Sequence, residues 1–217
     1  MRTAAVSLLL VPLACDPSTD APVISAESEG VVVTPVEGTC PEGTHDDPWA
    51  DCVEDFAPGP EAVFGQDQLP GVVLGPPMPT DAGGSLDVLS LGCGGAITLA
   101  FDDPGLVDGP GDDLIVYENA FATGDTTFAE PGRVLVSDDG EVWRAFGCTL
   151  TGAGDWPPEG CAGVEPGGDG FDLADVGLQR ARYVRVVDVS VAYFGTDMWC
   201  TGGSGGFDLD AVEALPR

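Results

Sequence analysis

Arg133-Val-Leu-Val-Ser137 and Glu141-Val-Trp-Arg-Ala-Phe146, joined through Asp138-Asp139-Gly140, decide the fold class. Each flank is a short run rich in β-branched and aromatic residues, and Asp-Gly between two such runs is the turn chemistry of a β-hairpin. The same pattern repeats outward in both directions: short apolar runs bounded by Gly, Pro and Asp. Strands are predicted near residues 53–56, 72–74, 86–91, 96–101, 113–118, 133–137, 142–146, 183–189 and 207–213. Gly 32 and Pro 19 fill 51 of the 217 positions, and no window sustains an amphipathic helix of 11 residues. Many short strands with turns between them predict an all-β sandwich over residues 53–217, a length that can bury its own core.

Charge narrows the function. The chain carries 37 Asp plus Glu against 7 Arg, with no Lys and one His, for a formal net charge of −30. A field of that sign repels phosphate polymers, which argues against a nucleic-acid partner. Without Lys there is no Schiff-base chemistry, and a single His leaves little for acid/base catalysis near neutral pH. The ligand that the charge favours is a cation.

The N-terminus reads as an export signal. Residues 1–14 hold Arg2, then an apolar run from Ala4 to Leu13, then Ala14 before Cys15. Pro12-Leu13-Ala14-Cys15 resembles a bacterial lipobox, with Pro12 and Leu13 departing from its usual residues, and this implies lipidation of Cys15. The expected location is extracytoplasmic, on the outer membrane or cell surface, with the lipid as the only membrane attachment. Residues 15–52 read as an acidic, mostly disordered tether closed by a small Cys loop. Cys15 apart, six Cys remain. Proximity pairs Cys40 with Cys52 and Cys148 with Cys161, leaving Cys93 with Cys200. A metal role for these Cys is disfavoured, because no CxxC is present and His45 lacks zinc-ligand spacing to a Cys pair.

Three stretches could hold a cation. Asp102, Asp103, Asp108, Asp112 and Asp113 place five carboxylates in twelve residues among Gly and Pro, the ingredients of a Ca²⁺ loop or of a solvated acidic turn. Asp outnumbers Glu 25 to 12, and the shorter side chain suits a loop cage. Gly-Phe-Asp-Leu occurs at 170–173 and again at 206–209. In a regular strand the second copy would direct Phe207, Leu209 and Ala211 one way, and Asp208, Asp210 and Val212 the other. Those two carboxylates suit a cation or an Arg partner. In Asp113-Leu-Ile-Val-Tyr-Glu118, alternation puts Glu118 on the face of Leu114 and Val116. An inward carboxylate must be paired, hydrogen-bonded or metal-bound.

Aromatic residues in the Gly-rich segments form a second class of candidate. Phe121, Phe128, Trp156, Tyr193 and Phe194 stand among Asp, Asn and Gly. A ring can stack on the C–H face of a sugar while carboxylates take its hydroxyls; the alternative is that these rings seal the ends of the sandwich. Trp199, beside Cys200, suits packing on a disulfide.

Phe64-Gly-Gln, Leu89-Ser-Leu-Gly-Cys-Gly-Gly95, Tyr117-Glu-Asn119, Val136-Ser-Asp-Asp-Gly140 with Trp143, Arg182-Tyr-Val-Arg185 and Gly206-Phe-Asp-Leu-Asp-Ala-Val212 together resemble an uncharacterised family of bacterial cell-surface lipoproteins. Val-Ser-Asp-Asp-Gly-x-x-Trp and Arg-Tyr-Val-Arg are also similar to segments of discoidin, or galactose-binding-like, domains. That resemblance implies a jelly-roll β-sandwich, a carbohydrate or cell-surface ligand and structural Ca²⁺. The expected function is a non-catalytic surface lipoprotein that binds a carbohydrate or surface polymer. Its rivals are a structural or adhesive envelope component and an acidic hydrolase with paired carboxylates.

Overall fold

The computed structural model describes residues 47–78, 86–123, 126–128, 130–150, 158–198, 200 and 202–216, with side chains left out over 121–128. The chain divides into two units, Met1–Val33 and Thr34–Arg217, and the described residues all belong to the second. The expected signal, the lipidation site Cys15, most of the tether, His45, Trp156 and Trp199 lie outside the described residues.

The fold is all-β. Its strands are β1 Cys52–Ala57, β2 Leu89–Ser90, β3 Ala96–Ala100, β4 Leu106–Val107, β5 Leu114–Glu118, β6 Phe121–Thr123 and β7 Thr126–Phe128. They continue as β8 Gly132–Ser137, β9 Arg144–Ala145, β10 Asp169–Phe171, β11 Arg180–Ala181, β12 Tyr183–Asp188 and β13 Asp208–Ala214. Two antiparallel sheets carry the structure, one ordered β1-β3-β12-β8-β9 and the other β10-β5-β13-β2. The pairs β4–β11 and β6–β7 are separate two-stranded ribbons.

The core is built by alternation. In β12, Val184, Val186 and Asp188 are buried while Tyr183, Arg185 and Val187 are half-exposed, and in β8 Val134 and Val136 alternate with Arg133 and Leu135. From the facing sheet come Leu114, Val116, Leu209 and Val212, in one cluster with Ile97, Leu99, Val184 and Val186. Phe207 is fully enclosed, and Gly132 is needed beneath it, because a Cβ there would lie 2.5 Å from its ring.

The predicted hairpin is present: β8 pairs with β9, Val136 opposite Arg144. Its turn is fixed by Ser137 and Asp139. The Asp139 carboxylate accepts the amides of Glu141 and Val142, each at 2.8 Å, and these bonds hold its pKa below the usual carboxylate value. The strand predicted at 142–146 shrinks to two residues, because Glu141 and Val142 are used by that turn. The strand predicted at 72–74 is instead a 3-10 turn, Gly71–Val73, following Pro70. The sandwich also starts earlier than residue 53, since Ala50 N donates to Val212 O and Asp51 N to Ala100 O. One α-helical turn, Ser190–Phe194, follows β12.

Cys93–Cys200 and Cys148–Cys161 are disulfides with Cα–Cα separations of 5.5 and 4.6 Å. Cys52 is disulfide-bonded as well, and Cys40, its expected partner, lies outside the described residues. Such bridges are the chemistry of an oxidising, extracytoplasmic compartment. Among the described residues no helix is long and apolar enough to cross a membrane.

Candidate functional site

The acidic stretch does not form one cage. Asp108 and Asp113 are joined by Asp172, with a carboxylate oxygen of each within 4.8 Å of the others, so the stretch meets the first Gly-Phe-Asp-Leu copy. Asp113 is fully buried and already employed: Oδ1 accepts Gly109 N at 3.1 Å and Oδ2 accepts Leu173 N at 2.7 Å. Asp172 caps a 3-10 turn over Leu173–Val176 by accepting Ala174 N, so this copy is not a strand at its Asp. Asp102, Asp103 and Asp112 stand outside the group. Asp112 and Asp103 are exposed, while Asp102 N donates to Asp51 and Asp102 Oδ2 is buried without a hydrogen-bond partner.

The second copy lies in β13, but strict alternation fails there. The β13–β5 register shifts between Leu209 and Ala211, which turns Val212 inward opposite Val116. Asp208 and Asp210 therefore serve different places. Asp210 accepts Met78 N, and burial, with Asp87 nearby, raises its pKa to about 6. Asp208 accepts the Ser90 hydroxyl.

Asp208 belongs instead to a group of buried and half-buried carboxylates at one end of the sandwich, where β5 and β12 finish and β8, β10 and β13 begin. Glu118 ends β5 and sits opposite Leu209; Asp188 ends β12 opposite Gly132; Glu130 leads into β8; Asp169 opens β10. Glu118 stays on the inward side, opposite the buried Leu209 and with its Oε2 enclosed, although the residue as a whole is half-buried. Asp188 is saturated by Gly94 N at 2.8 Å, Phe207 N at 2.8 Å, and the Ser190 hydroxyl and amide. Glu130 Oε1 accepts Gly206 N at 2.8 Å, and Asp169 Oδ2 accepts Gly163 N and Val164 N. Gly163, at φ 79°, lets the chain pass this close; a Cβ would fall 2.7 Å from Glu130 O and 3.2 Å from Glu118 Cγ.

Burial is the main force on every one of these groups, and the charges acting on Glu118, Glu130 and Asp208 are those of other carboxylates. Glu118 is pushed well above the ordinary range by burial and then by Asp208, Glu130 and Asp169. Glu130 is pushed up to about 8 by burial, with Asp208 and Asp188 adding to it. Burial raises Asp208 and Asp169 to about 6 each, and raises Asp188 as well. Sequence reasoning reached Glu118 and Asp208 but missed Glu130, Asp169 and Asp188. The inward position of Asp188 in the alternating Val184-Arg-Val-Val-Asp188 was the available signal.

The aromatic candidates fare differently. Tyr193 is 2% exposed and meets Phe194 edge-on at 5.1 Å, so it presents no ring face to solvent and packs as part of the end seal. Phe121 and Phe128 are opposite each other in the β6–β7 ribbon, with side chains outside the described set. An aromatic arrangement that the sequence reading passed over lies on the outer face of the five-stranded sheet. Trp143 is half-exposed, with the Arg185 guanidinium 4.2 Å from its ring centre and Tyr183 edge-on at 6.5 Å. Arg185 Nε donates to Thr98 Oγ1 at 2.9 Å, and Trp143 Nε1 to Gly140 O at 3.0 Å, which fixes both side chains. Five of the 7 Arg (Arg133, Arg144, Arg180, Arg182 and Arg185) lie on or beside β8, β9, β11 and β12. Arg180 is paired with Asp138 at 2.8 Å.

No family model and no curated protein matches this chain.

Proposed function

We propose that the chain is a non-catalytic, extracytoplasmic binding module, tethered to the outer membrane or cell surface by lipid on Cys15, that takes a carbohydrate or surface polymer. The ligand face is the outer face of the five-stranded sheet and not the loops. The observation that carries it is the fixed Trp143–Arg185–Tyr183 arrangement, on a sheet that also carries Arg133 and Arg144. A rigid, half-exposed indole offers a sugar C–H face a platform at little entropic cost. An adjacent guanidinium offers planar, paired hydrogen bonds to hydroxyls or to a uronate carboxylate. The net charge of −30 opposes a polyanion at long range, but that opposition fades beyond roughly 8 Å at physiological salt.

The test is a titration of neutral and uronate-containing oligosaccharides followed by tryptophan fluorescence and calorimetry. Binding is expected with a preference for the acidic sugars, and Trp143→Ala should weaken it at least tenfold while the fold melts cooperatively. Absence of binding at millimolar sugar, or equal binding by Trp143→Ala, refutes the reading.

A further inference from the structure

In a chain with 37 Asp plus Glu and 7 Arg, carboxylate partners for every Arg are in surplus. Arg180 has one, Asp138, yet neither Arg133 nor Arg185 has an ion-pair partner among the described residues. The strand register shows how they are kept apart. By alternation, the half-exposed positions of β8 are Arg133 and Leu135, and those of β12 are Tyr183, Arg185 and Val187. Arg185 stands opposite Leu135 on β8 and Thr98 on β3, and Arg133 stands opposite Val187. An opposite charge directly across a strand pair is stabilising. A sheet built only for its own stability would draw such pairs from so acidic a sequence. This one sets an aliphatic side chain against each guanidinium and places no Asp or Glu at a half-exposed position of either strand.

We propose that Arg133 forms a second anion subsite beside the Trp143–Arg185 platform, so that the outer face takes a polyuronate with successive carboxylates on Arg185 and Arg133. This inference rests on the reading of that face as a saccharide site and specifies the class and the length of chain it takes. Arg185 with Leu135, and Val187 with Arg133, form a block of four side chains in which the two guanidinium groups lie on one diagonal. Diagonal neighbours on adjacent strands are roughly 7–8 Å apart, within reach of long side chains that hold neighbouring units of one polymer. Leu135 and Val187, on the other diagonal, supply an apolar floor for the C–H faces of the rings. Each guanidinium is a planar fork that matches a carboxylate, and such charged pairs are stronger than neutral hydrogen bonds. A block free of carboxylates is also where an anionic chain escapes contact repulsion from a protein of net charge −30. Once one unit is held on Arg185, capture of the next by Arg133 is intramolecular, so affinity depends on ligand length.

The experiment titrates the full chain by calorimetry with mono-, di-, tri- and tetragalacturonate, with maltotetraose as a neutral chain and poly-glutamate as an acidic peptide. Affinity is expected to rise at least tenfold from mono- to tetragalacturonate, and maltotetraose should bind more weakly than the acidic tetramer. Arg133→Gln should bring the ratio of tetramer to monomer affinity close to one. Arg180→Gln, at the Arg already paired with Asp138, should keep the wild-type ratio. Thermal melting of both variants serves as the folding control, since Arg133 has no ion pair to lose. A tetramer that binds no better than the monomer, or an Arg133→Gln variant that keeps the gain, overturns the second subsite. Monomer binding that depends on Trp143 would in that case leave the single platform standing. Maltotetraose binding as tightly as tetragalacturonate overturns the acidic class alone, and absence of binding by every sugar overturns both readings. Poly-glutamate binding more tightly than the sugar acids, and weakened in Arg133→Gln, overturns the polysaccharide in favour of an acidic peptide.

Discussion

This protein should become less stable as the pH rises from 5 to 8, opposite to the acid sensitivity expected of paired surface carboxylates. Glu130 carries the clearest effect. Burial, reinforced by Asp208 and Asp188, moves its pKa from 4.5 to about 8. The folded state therefore holds a proton that the unfolded state has released, throughout the interval between those values. Where the native state binds more protons, stability falls with rising pH. Its contribution is fully present below pH 4.5 and fades until about pH 8, at about 1.4 kcal/mol per pH unit. Between pH 5 and 8 that amounts to roughly 4 kcal/mol, or a Tm lower by about 10 °C for a domain of this size. Asp208, raised to about 6, adds in the same direction over the lower part of the range. The two do not sum, because part of the Glu130 rise is the charge of Asp208 itself.

The assay is thermal melting of EDTA-treated protein at fixed ionic strength from pH 5 to 8, for wild type, Glu130→Gln and Glu141→Gln. Glu141 is exposed, so its variant reports the general self-repulsion of a −30 chain. Glu130→Gln keeps an oxygen for Gly206 N but removes the titration, and its Tm should vary much less with pH than that of either other protein. A stripped wild type with constant Tm across the range, or a Glu130→Gln profile parallel to wild type, refutes the electrostatic account of this end of the sandwich.

The two described disulfides should differ in weight. Cys93–Cys200 spans 107 residues and Cys148–Cys161 spans 13. By loop-closure entropy, Cys93→Ser with Cys200→Ser should cost roughly 4–5 kcal/mol in urea unfolding, and the Cys148/Cys161 pair about 3. Asp113→Ala should lose about 1–3 kcal/mol by the same measurement, because the buried amides of Gly109 and Leu173 lose their acceptor. A loss confined to a few tenths would show those amides finding water instead.

The fold was legible wherever a local rule sufficed. The β8–β9 hairpin followed from Asp-Gly between apolar runs, the placing of Glu118 from period-two alternation, and the pairing of Cys148 with Cys161 from proximity. Local rules failed where a partner strand sets the geometry. The register shift in β13 is made with β5, ninety residues away, and it separates Asp208 from Asp210 although both would share a face in a regular strand. Pro70 and the following Gly71 took residues 71–73 into a 3-10 turn despite their apolar character. The outer-face arrangement was equally hidden, because Trp143 belongs to a hairpin turn and Arg185 to a strand 42 positions later. Nothing in either segment alone predicts that a guanidinium will lie on that indole.

The acidic cluster was illegible for the same reason, and its dispersion bears on its meaning. Glu118, Glu130, Asp169, Asp188 and Asp208 come from five strand ends, each read singly as one more Asp or Glu beside Gly or Pro. Sequence density pointed to residues 102–113, where carboxylates are crowded along the chain. There, however, Asp113 is satisfied by backbone amides, and Asp103 and Asp112 face solvent. Crowding in sequence is cheap to solvate, because a loop can turn each charge outward. Crowding created by strand order is not, because the side chains are held inward by the same alternation that builds the core. A sequence in which every other inward position of β5 and β12 is apolar, yet whose last inward positions are Glu118 and Asp188, departs from its own pattern at the point where the two sheets meet. Such a conflict between local charge and global fold is destabilising unless something compensates it. Amides and hydroxyls compensate Asp188 and half of Asp208, and leave Glu118 Oε2 bare. Protons held on Glu118 and Glu130, both pushed above the ordinary carboxylate range, ease that conflict at the point where the two sheets meet.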